Sequence, residues 1–448
     1  MTTPESTSLA LLDAITEYAG RDMRGSFPPN VVQHAKRLLL DGISWMVMGA
    51  RKEEAQPLLS LATSGAEGGA CTVVGTGHQT NVIDALFANT ALAQVHDCND
   101  GRRLARRDGG SNHPGRCIIP AALTFAQRHN LTGSELLELV VMGYEVVSRV
   151  RAGHPDGEYS FAVAAMLSRV MGRGADSMRR ALALARLTFP ERPEGRRYDT
   201  DFDFLSQGFI ARAAASATLY ADAAGSLPFE DAEAQLASSF PGSGPSTQDR
   251  YEILSVYLKP YPCCRALHGA IDLALALRSL GTFSAPDIAT VEVRVGNTKR
   301  FLLEPAAPDA TYKRCQFSIP FVTACALLDG HVGEASFTRA RIGSDDVARL
   351  QQRIGCVYDE ALQFNPSGFA SHFRPSILTV TTVQGAQFTK DLAVPRGSPL
   401  NPLTEAELLA KFQSWTGAGL SPERKEQVVA MVRDLESLGN VSELMRLL

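Results

Sequence analysis

The chain has 448 residues, of which 45% are hydrophobic and 21% are charged, so it can bury a large core and is longer than one ordinary domain. Its formal net charge of −4 gives no general attraction to polyanions, which argues against a nucleic-acid partner. The N-terminal stretch lacks a basic segment followed by an apolar core, and no run of about twenty apolar residues occurs. We therefore expect a cytoplasmic protein that does not enter a membrane.

The first part of the chain, up to about residue 280, has the pattern of amphipathic helices in close succession. Clear examples cover residues 31–48, 85–95, 120–128 and 131–150. Ser134 is the predicted N-cap of the last of these helices. Because such helices can bury their apolar faces only on one another, the pattern predicts an all-helical domain.

The pattern changes near Pro286, where apolar and polar residues begin to alternate as in a strand. Gly385 separates two later strand signals and predicts a hairpin between them. Strands together with helices indicate an α+β unit. The predicted elements of this unit are the strands 288–295, 376–382 and 387–394 and the helices 317–329 and 344–354.

A proline-rich connector at residues 395–402 leads to predicted helices at 405–415 and 422–438, which we expect to rejoin the helical domain. The fold class predicted is therefore mainly α, with two domains. The large all-helical domain comprises residues 1–257 and 403–448, and the smaller α+β lid domain comprises residues 258–402.

The sequence shows no motif for a cofactor or a metal ion. The eight cysteines include no C-x-x-C pair and no spacing typical of zinc or iron–sulfur sites. The glycine clusters do not match a dinucleotide fingerprint, and no phosphate-binding loop motif occurs. We expect reduced thiols, no cofactor and no metal ion.

A first group of polar residues lies between two apolar helices. Asp97 and Asp100 follow the helix at 85–95, and His113 precedes the helix at 120–128. A loop held between rigid helices is a common place for catalytic groups. The alternative is that the two carboxylates only cap helices and that His113 is a turn residue.

A second polar group occupies residues 259–268. Lys259 precedes two prolines, and Arg265 and His268 lie three residues apart on a predicted helix that begins near Cys263. Three side chains that can bind a carboxylate are thus concentrated in ten residues. The alternative is a linker with solvated charges.

Three long segments of this sequence resemble the MmgE/PrpD family. Residues 112–150 are similar to its HPG and GYEV-type stretch, residues 259–278 to its KPYP element, and residues 316–337 to its FSLPY-type and LLDG stretch. The resemblance implies a homodimer of a large helical domain and a smaller lid, with a metal-independent site between them. It also implies proton transfer next to a carboxylate of a small substrate.

The resemblance assigns roles to individual residues. His113 matches the family's histidine and is the expected acid/base, Asp97 is its expected orienter or partner acid, and Lys259 is the expected carboxylate clamp. His154 matches a further catalytic histidine of the family. The expected substrate-binding residues are His268, Arg265, Asp100 and Arg103.

The sequence departs from the family pattern at several positions. Where the family has DFDDT, Asn99 replaces an acid and Gly101 replaces the threonine. An insertion at residues 102–111 follows, and the segment 203–208 lacks the lysine and histidine that family members often carry. The four arginines of the insertion, at positions 102, 103, 106 and 107, either receive a substrate carboxylate in place of that lysine or form a solvated loop.

The expected function is that of a lyase. A dehydratase resembling 2-methylcitrate dehydratase is the first expectation, because dehydration needs one base and one acid. An epimerase or a decarboxylase acting on a related carboxylate is the alternative. A non-catalytic binding homologue is the third possibility, because several motif residues are replaced.

Overall fold

The computed structural model describes residues 4–21, 23, 25–64, 69–103, 111–149, 157–188, 202–225, 251–296, 298–363 and 374–448. Buried apolar side chains within these ranges form two clusters. The helical core draws its residues from 12–258 and 403–448. The lid core draws its residues from 263–380.

The helical core lies among long helices of the first half of the chain. Two short β-ladders, β1–β2 and β3–β4, are both antiparallel and accompany these helices. The helices are α1 (Pro4–Gly20), α2 (Pro29–Ala50), α3 (Gln56–Thr63), α4 (Val82–Gln94), α5 (Gly115–Arg128), α6 (Gly133–Arg149), α7 (Gly157–Val170), α8 (Ala175–Leu187) and α9 (Leu205–Ala223). The strands are β1 (Cys71–Val73), β2 (His78–Thr80), β3 (Arg102–Arg103) and β4 (Ser111–Asn112).

The central helices α2, α4 and α5 are buried along most of their length. Small residues let these helices approach one another closely. A Cβ atom on Gly49 of α2 would lie 2.2 Å from the carbonyl oxygen of Leu92 in α4, and one on Gly42 would lie 2.6 Å from Ile119 in α5. The tight packing fixes the end of α4 and the start of α5, and the loop that contains Asp97 and Asp100 lies between these two ends.

The lid core lies between helices and a four-stranded sheet. The strand order is β6-β5-β7-β8; β5 and β6 are parallel, and the other neighbours are antiparallel. Alternate residues of β5 and β7 are buried, whereas β8 is an exposed edge. The elements are α10 (His268–Arg278), β5 (Ile288–Val295), α11 (Tyr312–Cys315), α12 (Ile319–Asp329), α13 (Arg339–Ile342), α14 (Asp345–Gln351), β6 (Ile354–Tyr358), β7 (Ser376–Thr382) and β8 (Gln387–Leu392).

The last part of the chain returns to the helical core through α15 (Glu405–Thr416), α16 (Pro422–Arg433) and α17 (Ser442–Met445). The backbone N–H of Gly75 donates to the carbonyl of Leu448 at 2.7 Å, so the last residue is attached to the turn after β1. No helix in the described ranges is long and apolar enough to cross a membrane.

The predicted fold class, mainly α with a smaller α+β part, is confirmed. The hairpin around Gly385 is confirmed as β7–β8, and Gly385 has the positive φ of 82° that its turn requires. The prediction missed β6, because only the helical pattern before it was recognised. The predicted helix 422–438 was too long, since α16 ends at Arg433 and a short 3-10 turn follows.

The predicted N-cap at Ser134 was wrong. The helix begins at Gly133, two residues earlier than an N-cap at Ser134 implies, and Thr132 forms a capping box with Glu135: the backbone N–H and hydroxyl of Thr132 both donate to the Glu135 carboxylate, at 2.8 and 2.9 Å. The Ser134 hydroxyl instead donates to the carbonyl of Glu436 at 3.3 Å. Both residues are suitable caps by composition, and only the backbone position of the first turn distinguishes them.

A buried ion pair between Asp41 of α2 and Lys411 of α15 predicts a large stability effect. Removing Lys411 leaves the Asp41 carboxylate buried without its cation. We expect Lys411→Met to lower the free energy of unfolding by about 3–5 kcal/mol, as measured by urea denaturation. The double variant Asp41→Asn, Lys411→Met should recover at least half of the loss. Equal losses in the single and double variants would contradict this account.

Candidate active site

The acidic loop, residues 96–101, follows α4 and is buried almost completely. Asp97 is 7% exposed and Asp100 is fully buried. Asn99 holds the loop against the end of α4, because its side-chain amide donates to the carbonyl of Ala93 at 2.5 Å. The replacement of the family's acid by Asn99 thus supplies a donor for a helix-end carbonyl.

Lys259 and Asp97 form a buried ion pair. The Lys259 ammonium donates to the Asp97 carboxylate at 3.0 Å and to the Asp97 carbonyl at 2.9 Å, and the lysine side chain is fully buried. Burial acts to raise the pKa of Asp97, but the charge and hydrogen bond of Lys259, together with the charges of His113 and Lys313, outweigh it and the pKa is lowered. The same attraction raises the pKa of Lys259 against the effect of burial. Both groups are therefore charged at neutral pH.

An isolated antiparallel β-bridge between Gly101 and Tyr257 brings the lysine segment, residues 257–268, to the acidic loop. The backbone N–H of Tyr257 donates to the carbonyl of Gly101 at 2.8 Å, and the Gly101 N–H donates to the carbonyl of Tyr257 at 3.1 Å. Lys259 follows two residues later. The ion pair and the bridge thus connect segments about 160 residues apart in the chain.

The His113 imidazole lies beside this ion pair. Its Nδ1 is 2.6 Å from the carbonyl oxygen of Asp100, which can only accept, so Nδ1 carries the proton and Nε2 keeps a lone pair. The backbone N–H of His113 donates to the Tyr159 hydroxyl at 2.9 Å. Burial, followed by the Lys259 charge, lowers the pKa of His113 to about 3, although Asp97 acts in the opposite direction. The imidazole is therefore neutral at pH 7.

The orienting role expected of Asp97 belongs to a different group. Asp97 pairs with Lys259, whereas the main-chain carbonyl of Asp100 fixes the His113 ring. The expected contact of Asp100 with substrate also does not match its position. Its carboxylate accepts hydrogen bonds from the Gly115 N–H at 3.0 Å and from the Tyr144 hydroxyl, so it caps the start of α5 from inside the protein.

Gln316, which the sequence analysis did not single out, holds the loop from the lid side. Its side-chain oxygen accepts the Asp97 N–H at 3.2 Å, and its amide nitrogen donates to Nδ1 of His96 at 3.1 Å. Lys313 and Tyr312 donate to the Val95 carbonyl at 3.0 and 3.1 Å. The sequence signal was available, since residue 316 begins one of the segments that carry the family resemblance.

Arg265 and His268 contact each other, at 3.1 Å, but their other polar contacts are to the main chain. The Arg265 guanidinium donates to the carbonyls of Pro395 and Arg396 at 3.0 and 2.6 Å. Nε2 of His268 is 3.2 Å from the carbonyl of Cys263. These contacts fasten the lysine segment to the connector. The predicted helix at Cys263 also begins later, at His268, after a 3-10 turn.

The remaining predicted residues lie in or near the insertion and the loop before α7. His154 lies outside the described residues, as do the arginines at 106 and 107. Arg103 belongs to β3, but its side chain lies outside the description. The Arg102 guanidinium donates to the buried Glu252 carboxylate at 2.7 Å and to the carbonyl of Ser148 at 3.1 Å, which makes it a structural ion pair.

In the described part of the chain, no group of three or more histidine, cysteine or acidic side chains is arranged to hold a metal ion. Metal independence stays a prediction. The chemistry of the described groups is that of proton transfer: a neutral imidazole with an available lone pair, a buried ammonium and a carboxylate.

Two family models match the sequence. The model of the MmgE/PrpD N-terminal domain matches residues 13–224, and that of the MmgE/PrpD C-terminal domain matches residues 261–437. Together they cover most of the chain, and they confirm the resemblance seen in the motifs.

Similar proteins extend over nearly the whole chain at low identity. The cis-aconitate decarboxylase-like protein oryM of Aspergillus oryzae is 24% identical, with 100% of this chain and 98% of that protein covered. The cis-aconitate decarboxylase of Aspergillus terreus is 21% identical, with 97% and 95% covered. The cis-aconitate decarboxylase of Mus musculus is 23% identical, with 93% and 89% covered.

The buried carboxyl of Asp100 predicts a pH dependence of stability. Burial raises its pKa from 3.8 to about 7, against the hydrogen bonds from Tyr144 and Gly115. Between these pH values the folded state binds more protons than the unfolded state, so the free energy of unfolding falls as the pH rises. The free energy of unfolding of Asp100→Asn should not have this contribution to its pH dependence, because the amide keeps an acceptor and a donor but does not titrate.

The measurement is a set of urea unfolding curves for parent and Asp100→Asn from about pH 4.5 to 8.5. The stability of the parent relative to the variant should fall with rising pH, by up to about 1.4 kcal/mol per unit, and should level off above about pH 8. Parallel pH curves for the two proteins would show that Asp100 is ionised throughout and would contradict the prediction.

Proposed function

Because the chain belongs to the MmgE/PrpD family, we propose that it is a lyase that acts on a small di- or tricarboxylate by removing a proton next to a carboxylate. One observation carries the proposal. A buried, charged Lys259–Asp97 pair lies beside a neutral His113 whose Nε2 keeps its lone pair. A base and a cation side by side are what this proton transfer requires.

His113 is the proposed base. Its ring is fixed through Nδ1, so the Nε2 lone pair has a defined direction. The lowered pKa of His113 in the free protein keeps it unprotonated, and the negative charge of a bound carboxylate would raise that pKa toward the range of an effective base. The family-based role of His113 therefore agrees with its position.

Lys259 is the proposed carboxylate clamp. Two of its three ammonium hydrogens are directed to Asp97, which leaves one for a substrate oxygen. When the proton next to the carboxylate leaves, negative charge grows on that carboxylate's oxygens, and a positive charge fixed in a low-dielectric interior stabilises it. Asp97 keeps the ammonium charged and in place. Arg265 and His268 hold the segment that contains Lys259 in place through their hydrogen bonds to the main chain.

Two lyase reactions fit this arrangement. Decarboxylation of cis-aconitate or a similar unsaturated acid is the first candidate, because the similar proteins are named for that reaction and align with nearly the whole chain. Dehydration of a hydroxy acid, the expectation from the sequence, is the second candidate, because His113 can serve as its base and Lys259 as its carboxylate clamp. We further propose that the protein works without a cofactor, as a cytoplasmic homodimer. A monomeric mass at micromolar concentration would contradict the dimer.

The experiment that tests the function is a substrate panel followed by NMR in deuterated water. Cis-aconitate, hydroxy tricarboxylates and amino dicarboxylates are incubated with the purified protein. Carbon dioxide release identifies a decarboxylase, loss of water identifies a dehydratase, and deuterium in recovered substrate without either identifies an epimerase. Binding without any of these changes would contradict the proposal and favour a binding protein.

The variant His113→Asn tests the base. The asparagine amide can still donate to the Asp100 carbonyl, but the Nε2 lone pair is lost. We expect kcat to fall by about 10²- to 10⁴-fold with KM changed only a few-fold. Unchanged turnover of folded His113→Asn on a substrate that the parent processes would exclude His113 as the base.

Replacing Lys259 should have a different kinetic signature. The clamp binds the carboxylate in the ground state and more strongly in the transition state, so its loss should raise KM and also lower kcat. Because Lys259→Met alone leaves Asp97 buried and unpaired, the double variant Asp97→Asn, Lys259→Met is the suitable protein for steady-state kinetics. A raised KM with unchanged kcat would limit Lys259 to binding.

A further inference from the structure

A tyrosine hydroxyl fills the space where the family's motif carries a threonine. A Cβ atom on Gly101 would lie 2.3 Å from the hydroxyl oxygen of Tyr257 and 3.0 Å from Nδ1 of His113. Any side chain at position 101 would therefore overlap the tyrosine. The position of Tyr257 therefore requires glycine at position 101. The Tyr257 hydroxyl and the His113 imidazole both border the space that a Cβ atom of residue 101 would occupy.

The Tyr257 side chain is held firmly at this place. Its residue is 2% exposed, and its backbone forms the two-way bridge with Gly101. The ring packs edge-on against the His113 imidazole, with 6.5 Å between the centroids. The guanidinium of Arg265 lies over the ring face, 4.9 Å from its centroid.

The charges around Tyr257 favour loss of its proton during a reaction. The Arg265 guanidinium lies over the face of the Tyr257 ring. Lys259, two residues after Tyr257 in the chain, carries the second positive charge. Burial acts to lower the pKa of Lys259, but Asp97 and, after it, Tyr257 raise it, so this lysine and this tyrosine interact electrostatically. Two cations next to a phenol stabilise its anion.

We propose that Tyr257 is a catalytic residue: its hydroxyl, which lies near the His113 imidazole, donates a proton to the reacting substrate. The proposal rests on the proposed function and deepens it, because it assigns the acid. It also gives Arg265 a function, which is to stabilise the tyrosinate from the ring face. The hydroxyl missing at position 101 is thus supplied from a different segment of the chain.

Tyr257 donates one proton in each of the two candidate reactions, but only dehydration also takes a proton from the substrate. In dehydration, His113 takes the proton next to the carboxylate, the C–O bond breaks, and the Tyr257 proton leaves with the oxygen as water. In decarboxylation, the C–C bond to the departing carboxylate breaks, its electron pair stays on the substrate, and the Tyr257 proton forms the new C–H bond. After dehydration the tyrosinate recovers a proton from the imidazolium, directly or through solvent. After decarboxylation, which forms no imidazolium, it takes its proton from solvent.

The test compares Tyr257→Phe with the parent and with Tyr220→Phe, whose tyrosine is 62% exposed on α9 and serves as the matched control. Phenylalanine keeps the ring and its packing and removes only the hydroxyl. We expect Tyr257→Phe to lower kcat by about 10²- to 10³-fold with KM within a few-fold and with an unchanged melting temperature. Tyr220→Phe should equal the parent.

Isotope exchange separates the acid from the base. With a hydroxy-acid substrate in deuterated water, Tyr257→Phe should still introduce deuterium into recovered substrate, because His113 continues to remove and return the proton, while product formation is lost. His113→Asn should lose both. A decarboxylation substrate, from which His113 removes no proton, is tested by turnover alone. Loss of exchange and product formation together in Tyr257→Phe, or turnover equal to the parent, would overturn the role of Tyr257 as the acid.

The final control moves the hydroxyl from position 257 to position 101. In the double variant Gly101→Thr, Tyr257→Ala the overlap of the threonine with the ring is gone, and the remaining close contact, 3.0 Å from its Cβ to Nδ1 of His113, needs only a small shift. This variant should turn over faster than Tyr257→Ala alone, and equal rates would count against the inference. A parent that converts no member of the substrate panel would overturn the proposed function itself, whereas an unaffected Tyr257→Phe enzyme would overturn only this inference.

Discussion

The contact on which the site depends is the buried ion pair of Lys259 and Asp97. Removing two charges from water costs more than their attraction returns unless further hydrogen bonds hold them, and Lys259 has such a bond to the Asp97 carbonyl. Hydrophobic residues can often replace a buried ion pair at little cost in stability, so the burial of this pair is consistent with the proposed role of Lys259 as a carboxylate clamp. It fixes an ammonium beside an imidazole, which neither the helical core nor the lid core could do alone.

The acidic loop is held by contacts from segments distant in sequence. Gln316 binds its start from the lid side, Tyr257 forms a backbone bridge with its end, and Asp100 caps α5 from within. Because each contact uses a different atom of the loop, the His113 ring attached to the Asp100 carbonyl has little freedom to rotate. Such rigidity is what positions a base for proton transfer. The replacements at Asn99 and Gly101 keep the loop in place with different atoms.

Much of the fold could be predicted from sequence, and the site only in part. Helices such as α2 and α4 have a local signal, because periodicity and caps lie within the helix itself. Asp97, His113 and Lys259 could be identified through their motifs. The contacts within the site could not be predicted, because those of Asp97 with Lys259 and of Gly101 with Tyr257 join residues far apart in the chain. The pattern of alternating residues also missed β6, which is short and half-exposed.

The electrostatics of the free site favour an anionic ligand. Burial lowers the pKa of His113, and the charges of Lys259 and Arg116 lower it further, so the base of the free protein is weak. The proposed substrate, with two or three carboxylates, would add negative charge to this environment. Its binding both satisfies the cations and strengthens the base, since each added negative charge favours the imidazolium that forms during proton transfer. A neutral molecule of the same shape would do neither. Selectivity and reactivity thus have the same physical origin, the excess of positive charge around a neutral imidazole.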